Sequence, residues 1–302
     1  MKVYCPDLEC DSCVKVLTKT LVNANFRDFK FEKDGVILDQ EGDPNHAVKI
    51  IQEKGYRAAL SPFERKSFSE RLRDFKENKK KYEVEYKLLK FTLITFVLLS
   101  MFEVIAYYAF FKSVPEFLSK YSWWLLYSAL SVVGIAAAVV HVRSYRAEVT
   151  HMVGMMIGMT VGMQTGLLVG VILGATNGFF IGALVGMLVA VILGIVNGKC
   201  CGIMGVLEGM MAGVMGGTMG GMIGAMMVVD NILIFMPFFM VINLIILLGL
   251  SYMLFEEVVE HNVKMQKVPI EFFTFFSYCL IALTLLIIIM VYGPKSGIAG
   301  VI

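Results

Sequence analysis

The sequence predicts a small α+β domain at the N-terminus, followed by an all-α polytopic membrane domain. Apolar residues make up 57% of the 302 residues and charged residues 17%, and most of the charge lies in residues 1–90. From Phe91 onward, apolar stretches recur that each approach the ~20 residues a helix needs to cross a bilayer. We therefore divide the chain into a domain at 1–60, a charged linker at 61–90 and a membrane domain at 91–302.

The N-terminal domain alternates between strand and helix patterns. Apolar residues two apart between turn signals predict strands, and apolar residues three to four apart predict helices. We expect strands at 2–5, 26–32, 35–39 and 56–60, with helices at 12–23 and 44–54. This βαββαβ order predicts a ferredoxin-like sandwich.

Two cysteines of this domain, Cys10 and Cys13, stand three positions apart where the first loop becomes a helix. Thiols at this spacing can converge on one ion, and a helix N-terminus stabilises their anionic form. Two soft sulfurs suit Cu(I) or Hg(II), which accept near-linear coordination, whereas Zn(II) prefers four ligands. The sequence therefore predicts a soft-metal site at Cys10 and Cys13, with a redox dithiol or two incidental cysteines as the alternatives.

The stretch PDLECDSC at residues 6–13 resembles the metal loop of heavy-metal-associated (HMA) domains, which occur in copper chaperones and metal-exporting ATPases. That family carries GMxCxxC, and here Asp and Leu replace its Gly and Met. Gly55-Tyr56 matches a Gly-Tyr pair beside the loop in many bacterial copper members. The resemblance covers this domain alone and implies Cu(I) binding by its two cysteines. Glu9 is more usual in members that handle Zn(II), because a carboxylate adds a harder third ligand, so Zn(II) stays open.

The linker at 61–90 carries ten Lys/Arg and six acidic residues. Apolar residues at helical spacing predict a helix that leads into the first membrane span. The interleaved acidic residues argue against nucleic-acid binding.

Seven transmembrane helices follow by hydropathy. We place them at 91–111, 123–141, 152–176, 179–196, 202–228, 232–254 and 270–292. Lys and Arg concentrate in the linker and in the loops on its side of the membrane, and the chain opens without an apolar signal segment. Both observations predict a multi-pass protein of the cell membrane with a cytosolic N-terminus. Cysteines in that reducing compartment are expected as metal ligands or packing residues rather than disulfides.

Glycine recurs at every fourth position from Gly154 to Gly202, with Ala190 filling the one gap, and a second frame runs from Gly205 to Gly221. Small residues four apart let helix backbones approach closely in a bilayer. Spans three to five are therefore predicted to form a glycine-zipper core. Such faces also favour a homo-oligomer, and the pairs at 177–178 and 197–198, both Asn-Gly, predict turns between spans.

Methionines add a second pattern to the same helices. Thioethers bind Cu(I) or Ag(I) weakly enough to exchange the ion, so stacked methionines can form a ladder of sites. The MxxxM and GxxxG spacing resembles that of Ctr-type copper transporters, in motif only, because those proteins have three spans and no HMA domain. The alternative is that methionine fills gaps in packing. The candidate ligands are Met152, Met155, Met156, Met159 and Met163 on span three and Met204, Met211, Met215, Met219 and Met222 on span five.

Further candidates lie beside this pattern. Cys200 and Cys201 stand at the predicted cytosolic end of span five, where they can accept an ion from the N-terminal cysteines. This vicinal pair resembles the cysteine pair of bacterial mercuric transporters, although in those proteins the pair lies within a span. Glu103 and Glu208 are carboxylates inside predicted spans, where an ionisable group is costly and often functional. We favour Glu208, because it lies on the methionine-rich span. His141 and His151, near the cytosolic end of span three, are secondary candidates.

The sequence contains no GxxxxGK[ST], DKTG or HExxH motif, so neither an ATP-driven pump nor an enzyme is indicated. The function that these patterns favour is membrane transport of a soft metal ion. Cu(I) is the preferred ion, and Ag(I), Hg(II) and Zn(II) are the alternatives. The expected partners are the metal ion, the lipid bilayer and a cytosolic metallochaperone. A metal-responsive membrane sensor or an oligomeric scaffold is the competing hypothesis.

Overall fold

The computed structural model describes residues 2–6, 8, 11–24, 26, 29–32, 35–38, 44–54, 56–62, 70, 73, 82–112, 117–146, 149–259, 266–268 and 270–296. Over those residues the chain forms a small α+β fold at its N-terminus and seven long helices after it. The two parts are described separately.

The N-terminal fold consists of three strands and two helices. They are β1 (Lys2–Tyr4), α1 (Asp11–Asn23), β2 (Phe29–Glu32), β3 (Gly35–Leu38) and α2 (Pro44–Glu53). The strands pair antiparallel in the order β1-β3-β2. Apolar side chains from α1, α2 and the sheet share one buried core that includes Val3, Leu17, Val36 and Ile51, because each element carries its apolar residues on one face.

The fourth strand predicted at 56–60 is not formed. Only Ala59 pairs with β1, through hydrogen bonds from Tyr4 N–H to Ala59 O (2.8 Å) and from Ala59 N–H to Tyr4 O (3.0 Å). Alanine is disfavoured in strands, and this segment has two of them in succession, Ala58 and Ala59. The described sheet is therefore three-stranded, and the four-stranded ferredoxin-like sheet was not an accurate prediction for these residues. Most of the predicted linker helix lies outside the described residues.

The membrane part contains the seven helices that hydropathy predicts. By length and composition, each is long and apolar enough to cross a bilayer. They are α3 (Glu83–Ala106), α4 (Phe117–Ser144), α5 (His151–Asn177), α6 (Phe179–Gly198), α7 (Ile203–Met227), α8 (Ile232–Leu254) and α9 (Phe272–Tyr292). A multi-pass helical membrane domain is thus confirmed at the level of its helices.

Helices α5, α6 and α7 pack through their glycine backbones, and we call them the glycine unit. A Cβ atom on Gly158 of α5 would lie 2.9 Å from the carbonyl oxygen of Gly205 on α7 and 3.0 Å from Cα of Gly198 on α6. The same close approach recurs farther along α5, where a Cβ on Gly170 would lie 2.9 Å from the carbonyl oxygen of Gly217. Backbones this close admit only glycine, so the spacing in the sequence marks the contact faces correctly.

The two connections within the glycine unit differ from each other. Gly178 joins α5 to α6 with φ at +103°, as its Asn-Gly pair predicts. The second Asn-Gly pair, at 197–198, is not a turn, because α6 continues through Gly198 into a 3₁₀ turn at Lys199–Cys201. The chain reverses after that, at Gly202, where φ is +72°. Gly198 lies instead in contact with α5 and α7, so its lack of a side chain serves close packing.

Aromatic contacts connect α3, α4 and α9, and a polar contact connects α5 to α9. Phe111, in a π-helical turn at Tyr107–Phe111, stacks on Phe117 at the start of α4, and Phe91 of α3 meets Phe272 of α9 edge-on. Asn177 at the end of α5 donates from Nδ2 to the carbonyl oxygen of Ile289 on α9 (3.0 Å). Helix α9 is therefore fastened to α3 and α5 by contacts at named positions.

Candidate metal centre

The vicinal cysteines lie at the junction of α6 and α7, in the 3₁₀ turn Lys199–Cys201. A Cβ atom on Gly154, in the first turn of α5, would lie 3.3 Å from Sγ of both Cys200 and Cys201. The two sulfurs are therefore no farther apart than twice that distance, and both face the start of α5. Gly154 leaves the space that the thiols occupy, because any side chain there would displace them.

The surroundings of the two thiols differ. Cys200 is exposed and its Sγ–H points at the carbonyl oxygen of Asn197 (3.3 Å), whereas Cys201 is only 5% exposed. Backbone N–H groups of Met155 and Gly205 lie within hydrogen-bonding reach of the Cys201 sulfur. Gly205 lies in the first turn of α7, where N–H groups lack partners within the helix. The burial of Cys201 and the neighbouring Cys200 thiol oppose a thiolate here, whereas these backbone donors favour one.

Asn197 is a component of this site that the sequence did not reveal. Its Nδ2 donates to Leu193 O (2.8 Å), but its Oδ1 has no hydrogen-bond partner among the described residues, although the residue is only 4% exposed. A buried acceptor without a donor costs free energy unless a ligand or water satisfies it. An asparagine in an apolar span was the available signal, but its neighbour Gly198 led us to predict a turn.

The donor set at this junction is small and soft. Within the described part of the chain, no three His, Cys, Asp or Glu side chains come together in a metal-binding group. Two sulfurs fit an ion of low coordination number such as Cu(I), whereas a four-coordinate Zn(II) site requires more ligands. Met155, the residue after Gly154 on α5, is half-buried, and its thioether is a further soft donor on that helix.

The predicted N-terminal pair is described only in part. Cys10 and Glu9 lie outside the described residues. Cys13 lies in the first turn of α1 and is 3% exposed, in the core that also contains Cys5. The soft-metal site at Cys10 and Cys13 therefore stays a prediction.

The methionines of α7 occupy one face, and this face lies opposite the glycine contacts. The residues share an i, i+4, i+7, i+11 spacing with the half-buried Glu208, whereas the glycines of the same helix are buried against α5 and α6. The exposed methionines of the set are Met204, Met211, Met215, Met219 and Met222. These side chains do not line the interior of the glycine unit, which backbone contacts fill.

The methionines of α5 divide between two environments. Met155, Met159 and Met163 are half-buried, and Met152 and Met156 are exposed. A route along all of these thioethers would therefore follow the outer surface of the glycine unit.

The remaining polar candidates are dispersed over α3, α4 and α5. His141 of α4 is buried, with Nε2 3.4 Å from Oε1 of Glu85 on α3. The His151 side chain lies outside the described residues. Glu103 of α3 is almost fully buried, whereas Glu208 of α7 is half-buried. The preference for Glu208 as the functional carboxylate stays a prediction.

No protein-family model, curated protein or solved structure matches this chain. The resemblance of residues 1–60 to HMA domains and the motif shared with Ctr-type transporters stay predictions.

Proposed function

We propose that this protein is a membrane transporter for a soft metal ion, with Cu(I) as the preferred substrate. One observation carries the proposal: Cys200 and Cys201 both face Gly154 at the end of the glycine unit where α5 and α7 begin. Two sulfurs suit Cu(I), Ag(I) or Hg(II), which accept low coordination numbers, better than Zn(II), which takes four ligands.

In this proposal, residues 1–60 form a cytosolic HMA-like domain that captures the ion. Cys13 supports the role by its position, since α1 begins at Asp11 and the thiol lies in the first helical turn. Cys10 and Cys13 receive the ion from the cytosol or from a metallochaperone and pass it to Cys200 and Cys201 by thiolate exchange.

The methionine faces provide the next sites. Because the exposed face of α7 combines thioethers with Glu208, it is a poor surface to leave in lipid. A homo-oligomer in the cell membrane brings such faces together and creates a Met-lined route between chains. The closed interior of the glycine unit supports a route of this kind over one through a single chain.

The test measures Cu(I) bound by the purified full-length protein under reducing conditions, in competition with a chromogenic Cu(I) chelator. Three proteins are compared: wild type, Cys10→Ser/Cys13→Ser and Cys200→Ser/Cys201→Ser. We expect each double variant to lose part of the bound Cu(I), and the second to lose transport into proteoliposomes. Unchanged binding and transport in Cys200→Ser/Cys201→Ser would refute the proposal.

A second candidate function is a metal-responsive membrane scaffold. The backbone-to-backbone packing of the glycine unit favours it, because the unit is complete without an ion. It predicts that metal binding changes the oligomeric state, while proteoliposomes containing the protein accumulate no more Cu(I) than empty ones.

A further inference from the structure

Glu103 lies on the inner face of α3, the same face as the buried residues Leu88, Thr95 and Leu99. It is 8% exposed, and its Oε1 has no hydrogen-bond partner among the described residues. Ser100, three residues earlier and thus on the same side of the helix, also has a buried side-chain oxygen without a partner there. A carboxyl group inside an apolar span is costly and marks a functional position by default.

Among the described residues, this carboxyl group has no ion-pair partner. Helices α4 and α9 pack against α3, and within the described part no hydrogen bond or ion pair joins Glu103 to a titratable side chain of either helix. The nearest titratable neighbour along the chain is Tyr107, one turn later at the start of the π-helical turn, and His141 is engaged by Glu85. The titratable groups on the packed helices are Lys120, Tyr121, Tyr127, His141 and Arg143 of α4 and Tyr278, Cys279 and Tyr292 of α9.

The local chemistry favours a proton over a metal ion as the ligand. A soft ion requires sulfur donors and a hard cation several oxygens, whereas a proton requires one acceptor. The Glu103 carboxylate and the Ser100 hydroxyl offer three oxygens, fewer than the roughly six that a hard cation takes, and no group of three His, Cys, Asp or Glu occurs in the described residues. The π-helical turn Tyr107–Phe111 follows Glu103 within one turn, and such turns often occur at functional sites.

We propose that Glu103 is a proton-binding site of the membrane domain and that proton binding there is coupled to movement of the transported ion. The second clause depends on the transport function proposed above, whereas the first does not. Protonation forms the O–H bond on the carboxylate, and the proton leaves by the same bond when the site releases it.

The first experiment labels the full-length protein in liposomes with dicyclohexylcarbodiimide, an apolar reagent that reacts with protonated carboxyl groups. The acid O–H adds across one C=N bond, and rearrangement leaves an N-acylurea that mass spectrometry locates on its peptide. We expect an adduct on Glu103 that decreases as pH is raised, persists in Glu208→Gln and falls to background in Glu103→Gln. A wild-type protein that is unlabelled at Glu103, or labelled independently of pH, overturns the proton site.

The second experiment follows internal pH with a trapped dye while a Cu(I) gradient drives transport. We expect proton movement in wild type and in Glu271→Gln, which changes an exposed carboxylate at the start of α9. In Glu103→Gln we expect the proton movement to be lost and Cu(I) movement to be reduced. Cu(I) transport with identical proton movement in Glu103→Gln overturns the coupling and leaves the transporter. Absence of Cu(I) transport in wild type, with Glu103 labelled, refutes the transporter and the coupling and leaves the proton site.

Discussion

The backbone of Gly162 in α5 lies against the carbonyl group of Gly209 in α7, so closely that a Cβ atom on Gly162 would come within 2.7 Å of that oxygen. The two glycines meet through their helix backbones, which cannot move aside as a flexible side chain can. The glycine unit is thus held at a distance that a single methyl group would disrupt.

Gly162→Ala is expected to destabilise the protein by about 1–3 kcal/mol, because the added methyl overpacks a filled contact. The free energy of unfolding in detergent micelles, followed by circular dichroism, measures the effect. Gly249→Ala is the matched control: no atom lies within 4 Å of its Cβ position, so better helix propensity should stabilise α8 by up to about 1 kcal/mol. Equal effects of the two substitutions would contradict backbone packing at Gly162.

Asn177 is the polar attachment of α5 to α9, since its Nδ2 donates to Ile289 O at 3.0 Å. Asn177→Ala removes this donor while Gly293 N–H still donates to Ile289 O (2.8 Å), so it should cost about 0.5–1.5 kcal/mol of unfolding free energy. Thr218→Ala is the control, because the exposed Thr218 hydroxyl bonds only carbonyl groups of its own helix. A loss no larger than that of the control would show that Asn177 does not stabilise the contact.

The number and position of the membrane helices were predictable because the bilayer demands long apolar stretches with internally satisfied backbones. The glycine contacts were predictable for a related reason: residues four apart share a helix face, as Gly158 and Gly162 do. Apolar length for a membrane span and four-residue glycine spacing for a helix contact are each visible within a single segment of the sequence.

Other features were not determined by local pattern. The spacing of Met211, Met215 and Met219 defines a helix face but not whether the face points inward or outward, and the structure has it outward. Likewise, a glycine can serve either close packing or a backbone with positive φ. We predicted a turn at Gly198 and close packing at Gly202, whereas in the structure Gly198 is closely packed and Gly202 has the positive φ. The approach of Gly154 to the two cysteines depends on the alignment of three helices, which no single segment encodes.

The shared orientation of Cys200 and Cys201 can be tested without a metal. Phenylarsine oxide bonds two thiols that lie close together, and both sulfurs here would lie 3.3 Å from a Cβ atom placed on Gly154. In a Cys10→Ser/Cys13→Ser background we expect one arsenical bound per chain, and its loss in either Cys200→Ser or Cys201→Ser. Cys279→Ser should change nothing, because Cys279 is fully buried on α9; arsenical binding that survives both single substitutions would show that the two thiols do not act together.

The methionines exposed on α7 allow a role in packing to be distinguished from a role in metal binding, because exposed side chains contribute little to stability. Met215 is 52% exposed, so Met215→Leu is expected to change the unfolding free energy by no more than about 0.5 kcal/mol. If the thioether is a ligand, the same substitution combined with Met211→Leu lowers the Cu(I) bound by Cys10→Ser/Cys13→Ser protein, measured against a chromogenic chelator. Met236→Leu is the matched control, since that methionine is fully buried on α8 and its loss should leave Cu(I) binding unchanged. Equal Cu(I) binding in all of these proteins would assign the face of α7 to lipid or to a partner chain rather than to metal.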